Sequence, residues 1–121
     1  MEENNKSLKY LLEKTYFLHD CNFENITIGY KKYLETIPNN YPKDNIDITL
    51  IINLTDNSDN IFDKKTVKII FYDVSEYNFT TKDTSNWIFT ESKIEQNSDK
   101  NMFFIDNILR IIYKSCTWKI L

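Results

Sequence analysis

Apolar residues recur at every second position over much of this chain and at helical spacing in one place only. The clearest run is Ile46, Ile48, Leu50, Ile52 and Leu54, alternating with Asp47, Thr49, Ile51 and Asn53. A strict period of two puts the first set on one face of a strand. Phe23–Tyr30 reads as an earlier strand, with Ile26, Ile28 and Tyr30 set against Asn25, Thr27 and Gly29. The chain's single glycine stands in it and predicts a bulge or a close backbone approach. Thr66–Val74 follows, with Val67, Ile69 and Phe71 as its inward set. Shorter candidates are Tyr77–Phe79, Trp87–Ile94, and the pair Met102–Ile105 and Leu109–Tyr113 flanking Asp106-Asn107, a turn that suits a hairpin. The last strand is expected to run on, past a bend, through Cys116–Leu121.

The helical exception covers residues 5–17. Leu8, Leu11, Leu12 and Tyr16 fall on one face, with Lys9, Glu13 and Lys14 outside. Asn4, Asn5 or Ser7 can cap its start, and Glu2 and Glu3 favour the positive end of its dipole. A helix this short is marginal alone, so its leucine stripe must lie on a sheet. Turn signals between the alternating segments then predict a mainly β, α+β fold. It is one short N-terminal helix packed on an antiparallel sheet or sandwich of about six to seven strands. No second hydrophobic unit or repeat divides the chain, so 1–121 reads as one domain, β-rich from 22 onward.

Composition sharpens this picture. The chain has no alanine and is rich in Ile, Thr, Tyr and Phe, which suit a pleated, half-buried surface better than a helix. A net charge of −3 argues against a nucleic-acid partner, which calls for a basic footprint. The opening Met1-Glu2-Glu3-Asn4-Asn5 lacks the basic and apolar segments of a secretory leader, and no apolar run reaches the ~20 residues of a membrane helix. The expectation is a cytoplasmic protein with no membrane association. Sequons at Asn25, Asn53 and Asn78 are what an asparagine- and threonine-rich chain produces without selection.

Catalytic chemistry has few residues to draw on. His19 is the only histidine, and beside Asp20 and Cys21 it could pair with a thiolate. The plainer reading is that His19-Asp20 turns the chain from helix to strand. Cys21 and Cys116 have no metal-type spacing, and with one imidazole they do not fill a zinc site. In a reducing compartment they read as buried free thiols. One glycine excludes the phosphate-cradling loops of nucleotide-binding folds, and the Asp44/Asp47 and Asp56/Asp59 pairs read as solvated turns. No cofactor or metal is expected, and no catalytic residue is assigned.

Phe17-Leu-His-Asp-Cys-Asn-Phe-Glu-Asn-Ile-Thr-Ile resembles a recurring opening of small bacterial proteins: the YxiG-like and related immunity-type families of polymorphic toxin systems. Their second strand is similar to Ile46–Leu54, their third to Val67–Val74, and their closing strand to Leu109–Ile120. The resemblance implies a protein that blocks a cognate toxin by binding it, with no catalytic residues.

Three functional readings stand: a binding module of that immunity type, a self-associating structural protein pairing through a sheet edge to form a homodimer, and a small enzyme using His19. For the first, a partner surface must use side chains the core does not need. Aromatics rimmed by charge are the usual anchors, which selects Tyr30, Tyr33 and Tyr41 around the proline-containing connection, and Trp87 beside Asp83 and Glu91.

Overall fold

The computed structural model describes residues 7–30, 46–55, 62–79, 88–97 and 100–121. Among these described residues, eight strands and one helix follow one another: α1 (Leu8–Lys14), β1 (Asn22–Tyr30), β2 (Ile46–Asn53), β3 (Thr66–Val74), β4 (Glu76–Phe79), β5 (Ser92–Asn97), β6 (Lys100–Ile105), β7 (Leu109–Tyr113) and β8 (Ser115–Ile120). They form two four-stranded antiparallel sheets, ordered β1-β2-β3-β8 and β4-β7-β6-β5.

Two chain runs belong to both sheets. β3 passes through Ser75 into β4, and β7 passes through Lys114 into β8, so the β3–β8 ladder of one sheet continues as the β4–β7 ladder of the other. The corner is hydrogen-bonded by Lys114 N–H to Tyr72 O at 3.1 Å and by Ser75 N–H to Ile112 O at 2.9 Å. Among the described residues these divisions give eight strands, where about six to seven were expected. The bend in the closing run falls at Lys114, between Tyr113 and Ser115.

The sheets face each other across one apolar cluster. Ile48, Leu50 and Ile52 of β2, Val67, Ile69 and Phe71 of β3, and Phe103, Ile105 and Ile111 of the second sheet are fully buried. Phe71 bridges the layers, its ring 5.1 Å from that of Phe103 and 4.8 Å from that of Tyr113. The period-two reading of β2 and β3 therefore assigned the inward faces correctly.

α1 lies where the edge strands β8 and β5 leave the core open, burying Leu8, Leu11 and Leu12. Ser7 is its cap: the side chain accepts from Tyr10 N–H, and its carbonyl accepts from Trp118 Nε1 of β8 at 3.2 Å. The Tyr10 ring stacks on the same indole. One end of the helix is thus tied to the last strand of the chain.

Three local expectations are corrected. The helix ends at Lys14 rather than at 17, because Thr15 caps it and Tyr16 turns left-handed, which removes Tyr16 from the leucine face. Gly29 is neither bulged nor crowded: a Cβ there would meet nothing within 4 Å, and the β1 irregularity falls between Phe23 and Asn25. The Trp87–Ile94 segment becomes regular strand only from Ser92, with Ile88 making an isolated bridge to Asn22. Among the described residues, no helix is long and apolar enough to cross a membrane.

Candidate functional site: a left-handed aromatic turn

The link from α1 to β1 is the least ordinary piece of backbone in the described chain. Tyr16, Phe17 and Leu18 take φ of 52°, 57° and 60° in succession, and Asp20 takes 66°. Left-handed backbone costs an L-residue with a Cβ about 1–2 kcal/mol, so three in a row must be over-determined by their surroundings.

The determinants are identifiable. Phe17 N–H donates to Leu12 O at 2.6 Å, the long bond of a Schellman helix end, with Tyr16 in the left-handed position that glycine usually takes. Leu18 N–H donates to Thr15 O and His19 N–H to Tyr16 O, which winds the next residues into a left-handed turn. Thr15 is buried, and its hydroxyl donates to Leu11 O at 2.9 Å. Leu18, at 0% exposure, fills the core beneath the turn. Burying Leu18 within so short a link leaves Tyr16 and Phe17 outside, at 61% and 46% exposure.

A second segment clamps the turn from outside. Ser92 gives both its amide and its hydroxyl to Phe17 O, each at 2.9 Å. Asp20 N–H donates to Phe89 O and Phe89 N–H to Cys21 O, both at 2.8 Å. His19 Nδ1 lies 2.7 Å from Thr90 O; a carbonyl only accepts, so Nδ1 carries the proton. Phe89 is buried and packs edge-on against Phe23 at 4.6 Å.

The clamp is itself held by Asp106 at the β6–β7 turn. Its carboxylate accepts Thr90 N–H at 3.0 Å and Glu91 N–H at 2.9 Å, while Asp106 N–H donates to Glu91 O at 3.0 Å. The Asp106-Asn107 turn was legible in the sequence as a hairpin. Its carboxylate's grip on residues fifteen and sixteen positions earlier was not.

The geometry directs His19 and Cys21 to different tasks. The imidazole is engaged with Thr90 through Nδ1, and Nε2 lies 3.6 Å from Asp20 Oδ2. The Cys21 thiol is buried and donates to His19 O, not to the ring. Burial pushes it up to about 11, contacts with Thr55 only partly opposing this. Cys116 is likewise raised to about 11, first by burial and against a lowering hydrogen bond with Tyr113. Both are free thiols held protonated at neutral pH, so neither is a ready nucleophile. Among the described residues there is no group of three or more His, Cys, Asp and Glu side chains that could hold a metal ion.

Phe17 also walls a groove of about 600 Å³ between α1 and the second sheet, with Leu8, Leu12, Ile94, Tyr113 and Cys116 as its apolar lining. Lys9 and Lys93 stand at its margin.

Of the residues selected from sequence as partner contacts, Glu91 is exposed beside this turn. Tyr30 closes β1. Tyr33, Tyr41, Asp83 and Trp87 lie outside the described residues. Sequence reasoning missed Tyr16 and Phe17 by extending the helix through them. No protein-family model, curated protein or solved structure matched the chain.

Proposed function

We propose that this chain is a non-catalytic protein-binding module that takes its partner on the left-handed turn, with Tyr16 and Phe17 as anchors. The observation that carries the reading is the exposure of two adjacent aromatics on backbone fixed by Leu18 beneath and Ser92 beside. Rigid aromatic anchors bind well because little side-chain freedom is lost on association. The groove beside Phe17 accepts an apolar side chain of the partner, and His19, Glu91 and Lys93 form a polar rim.

The resemblance of Phe17–Ile28 to immunity-type proteins supplies the partner class: a toxin of a bacterial polymorphic system, blocked by occlusion in the cytoplasm. The protonated thiols, Cys21 buried and Cys116 half-buried, and the engaged imidazole support a binding role over a catalytic one.

The test is affinity capture from the producing cells with the native chain and with Tyr16→Ala and Phe17→Ala variants. A partner should be recovered by the native chain, and each substitution should weaken it by about 2 kcal/mol, roughly thirtyfold. Recovery undiminished in both variants would remove the turn as the binding surface.

A further inference from the structure

A concavity of about 490 Å³ at the aromatic turn is lined by Tyr16, Phe17, His19 and the clamp residues 90–93. Most hydrogen-bond donors around it are already engaged. The amides of Phe17 and His19 donate within the helix end and the turn, that of Ser92 donates to Phe17 O, and those of Thr90 and Glu91 donate to the Asp106 carboxylate. The Ser92 hydroxyl also donates to Phe17 O. Lys93 Nζ is drawn away, 3.1 Å from Glu95 Oε2 and 5.1 Å from the centre of the Phe104 ring. The hydroxyls of Tyr16 and Thr90 accept as readily as they donate.

Acceptors are what remain. With its proton on Nδ1, the neutral His19 ring keeps Nε2 as an acceptor on a half-exposed side chain. Asp20 Oδ2, 3.6 Å from it, makes the same corner negative. The Glu91 carboxylate is exposed and has no ion-pair partner among the described residues. Asp106 holds both the N–H and the C=O of Glu91, so the backbone that presents this carboxylate is fixed. The faces of the Tyr16 and Phe17 rings are the negative parts of their quadrupoles and attract cations. Acceptors and ring faces on one fixed turn call for a group that carries positive charge, donates, and accepts nothing. Lysine and arginine side chains answer that description, and the planar guanidinium of arginine also stacks on aromatic rings.

We propose that the turn recognises an arginine of the protein partner, its guanidinium stacked on the Tyr16–Phe17 pair and its N–H groups donating to the Glu91 carboxylate and His19 Nε2. This inference rests on the aromatic turn as the binding surface and names the partner chemistry that the turn takes. The groove on the other side of Phe17 receives an apolar neighbour of that arginine. An anionic side chain is disfavoured, because it would meet Glu91 and the ring faces while Lys93 is already paired with Glu95.

Titration of the whole chain with N-acetyl-arginine amide, followed by proton–nitrogen correlation spectra, tests this without a partner in hand. Saturable shifts should gather at residues 16–20 and 89–93, with a dissociation constant of ~1–10 mM, the range open to a ligand of this size. N-acetyl-citrulline amide has nearly the same shape without the charge and should bind at least ~tenfold more weakly. Glu91→Gln and Tyr16→Ala should each weaken the arginine probe at least ~fivefold. Glu24→Gln, whose carboxylate serves Asn53 on the first sheet, should leave it unchanged. No saturable shift at the turn, an equal response to citrulline, or indifference to Glu91→Gln would overturn the proposal. Capture from the producing cells separates the two readings. A partner lost on Tyr16→Ala and Phe17→Ala but fully retained by Glu91→Gln keeps the turn as the binding surface and removes the arginine. A partner retained by all three variants removes both.

Discussion

His19 Nδ1 donates to the carbonyl oxygen of Thr90 at 2.7 Å, joining residues seventy-one positions apart. The bond holds the left-handed turn against the segment that leads into β5, where Asp106 grips the same segment from the other side. The only histidine of the chain therefore acts as a backbone tie between two otherwise irregular stretches.

Removing that tie should be measurable but modest. The ring is half exposed, so water can replace it, and a net hydrogen bond of about 0.5–1.5 kcal/mol is at stake. His19→Ala should lower the urea midpoint accordingly without changing the denaturant slope. A loss above ~3 kcal/mol would show that His19 does more than hold the turn.

Tyr16 offers a separation of stability from binding. At φ 52° its Cβ is strained where glycine would not be. Tyr16→Gly should raise stability by about 0.5–1 kcal/mol, less than the full steric relief because glycine also frees the unfolded chain. The same change removes an anchor, so a partner recovered by capture should bind more weakly. Thermal denaturation and a binding titration on one preparation give both numbers, and a destabilised variant would contradict the strain assignment.

Asp106 should matter more than an exposed turn aspartate normally does, since its carboxylate accepts two backbone amides and its own φ is 48°. Asp106→Ala loses the acceptor and leaves an alanine in left-handed backbone, a cost of about 2–3 kcal/mol in all. Asp106→Asn keeps one acceptor oxygen and tolerates that conformation, so it should fall between the two in chemical denaturation.

Leu50 and Thr49 test the facing of β2. Leu50 is fully buried, and its truncation to alanine should cost about 2–5 kcal/mol, comparable with the whole stability of a small domain. Thr49→Ala should stay within ~0.5 kcal/mol. Equal tolerance would mean the core face is misassigned.

Alkaline pH should unfold the protein through its thiols. Cys21 and Cys116 move from an ordinary 9.0 to about 11 in the folded chain, both chiefly through burial. The unfolded state therefore loses those protons first. The stability they contribute is complete below about 9 and falls as pH rises through about 11. Burial of Tyr113 raises its hydroxyl in the same direction. Denaturant titrations from pH 8 to 11 should give a falling free energy, with the fall reduced in a Cys21→Ala/Cys116→Ala variant. A flat profile would contradict the burial of both thiols.

Sequence alone determined the strands whose apolar residues keep a period of two, because one-sided burial makes that alternation obligatory. β2 and β3 were legible residue by residue, including the inward set that Phe71 and Leu50 belong to. So were the hairpin at Asp106 and the bend in the closing run. Sequence left one sheet or a sandwich open, since only the pairing of β3 with β8 and of β4 with β7 places the corner that divides them. Tertiary structure also decided the candidate site. Tyr16 continued the helical spacing of Leu8 and Leu12, and local propensity had no term for Leu18 reaching the core or Ser92 capturing Phe17 O. Those contacts join residues seventy-five positions apart. They outweigh the left-handed penalty only once both sheets are in place, which is why the exposed aromatic pair emerges from the fold and not from the pattern.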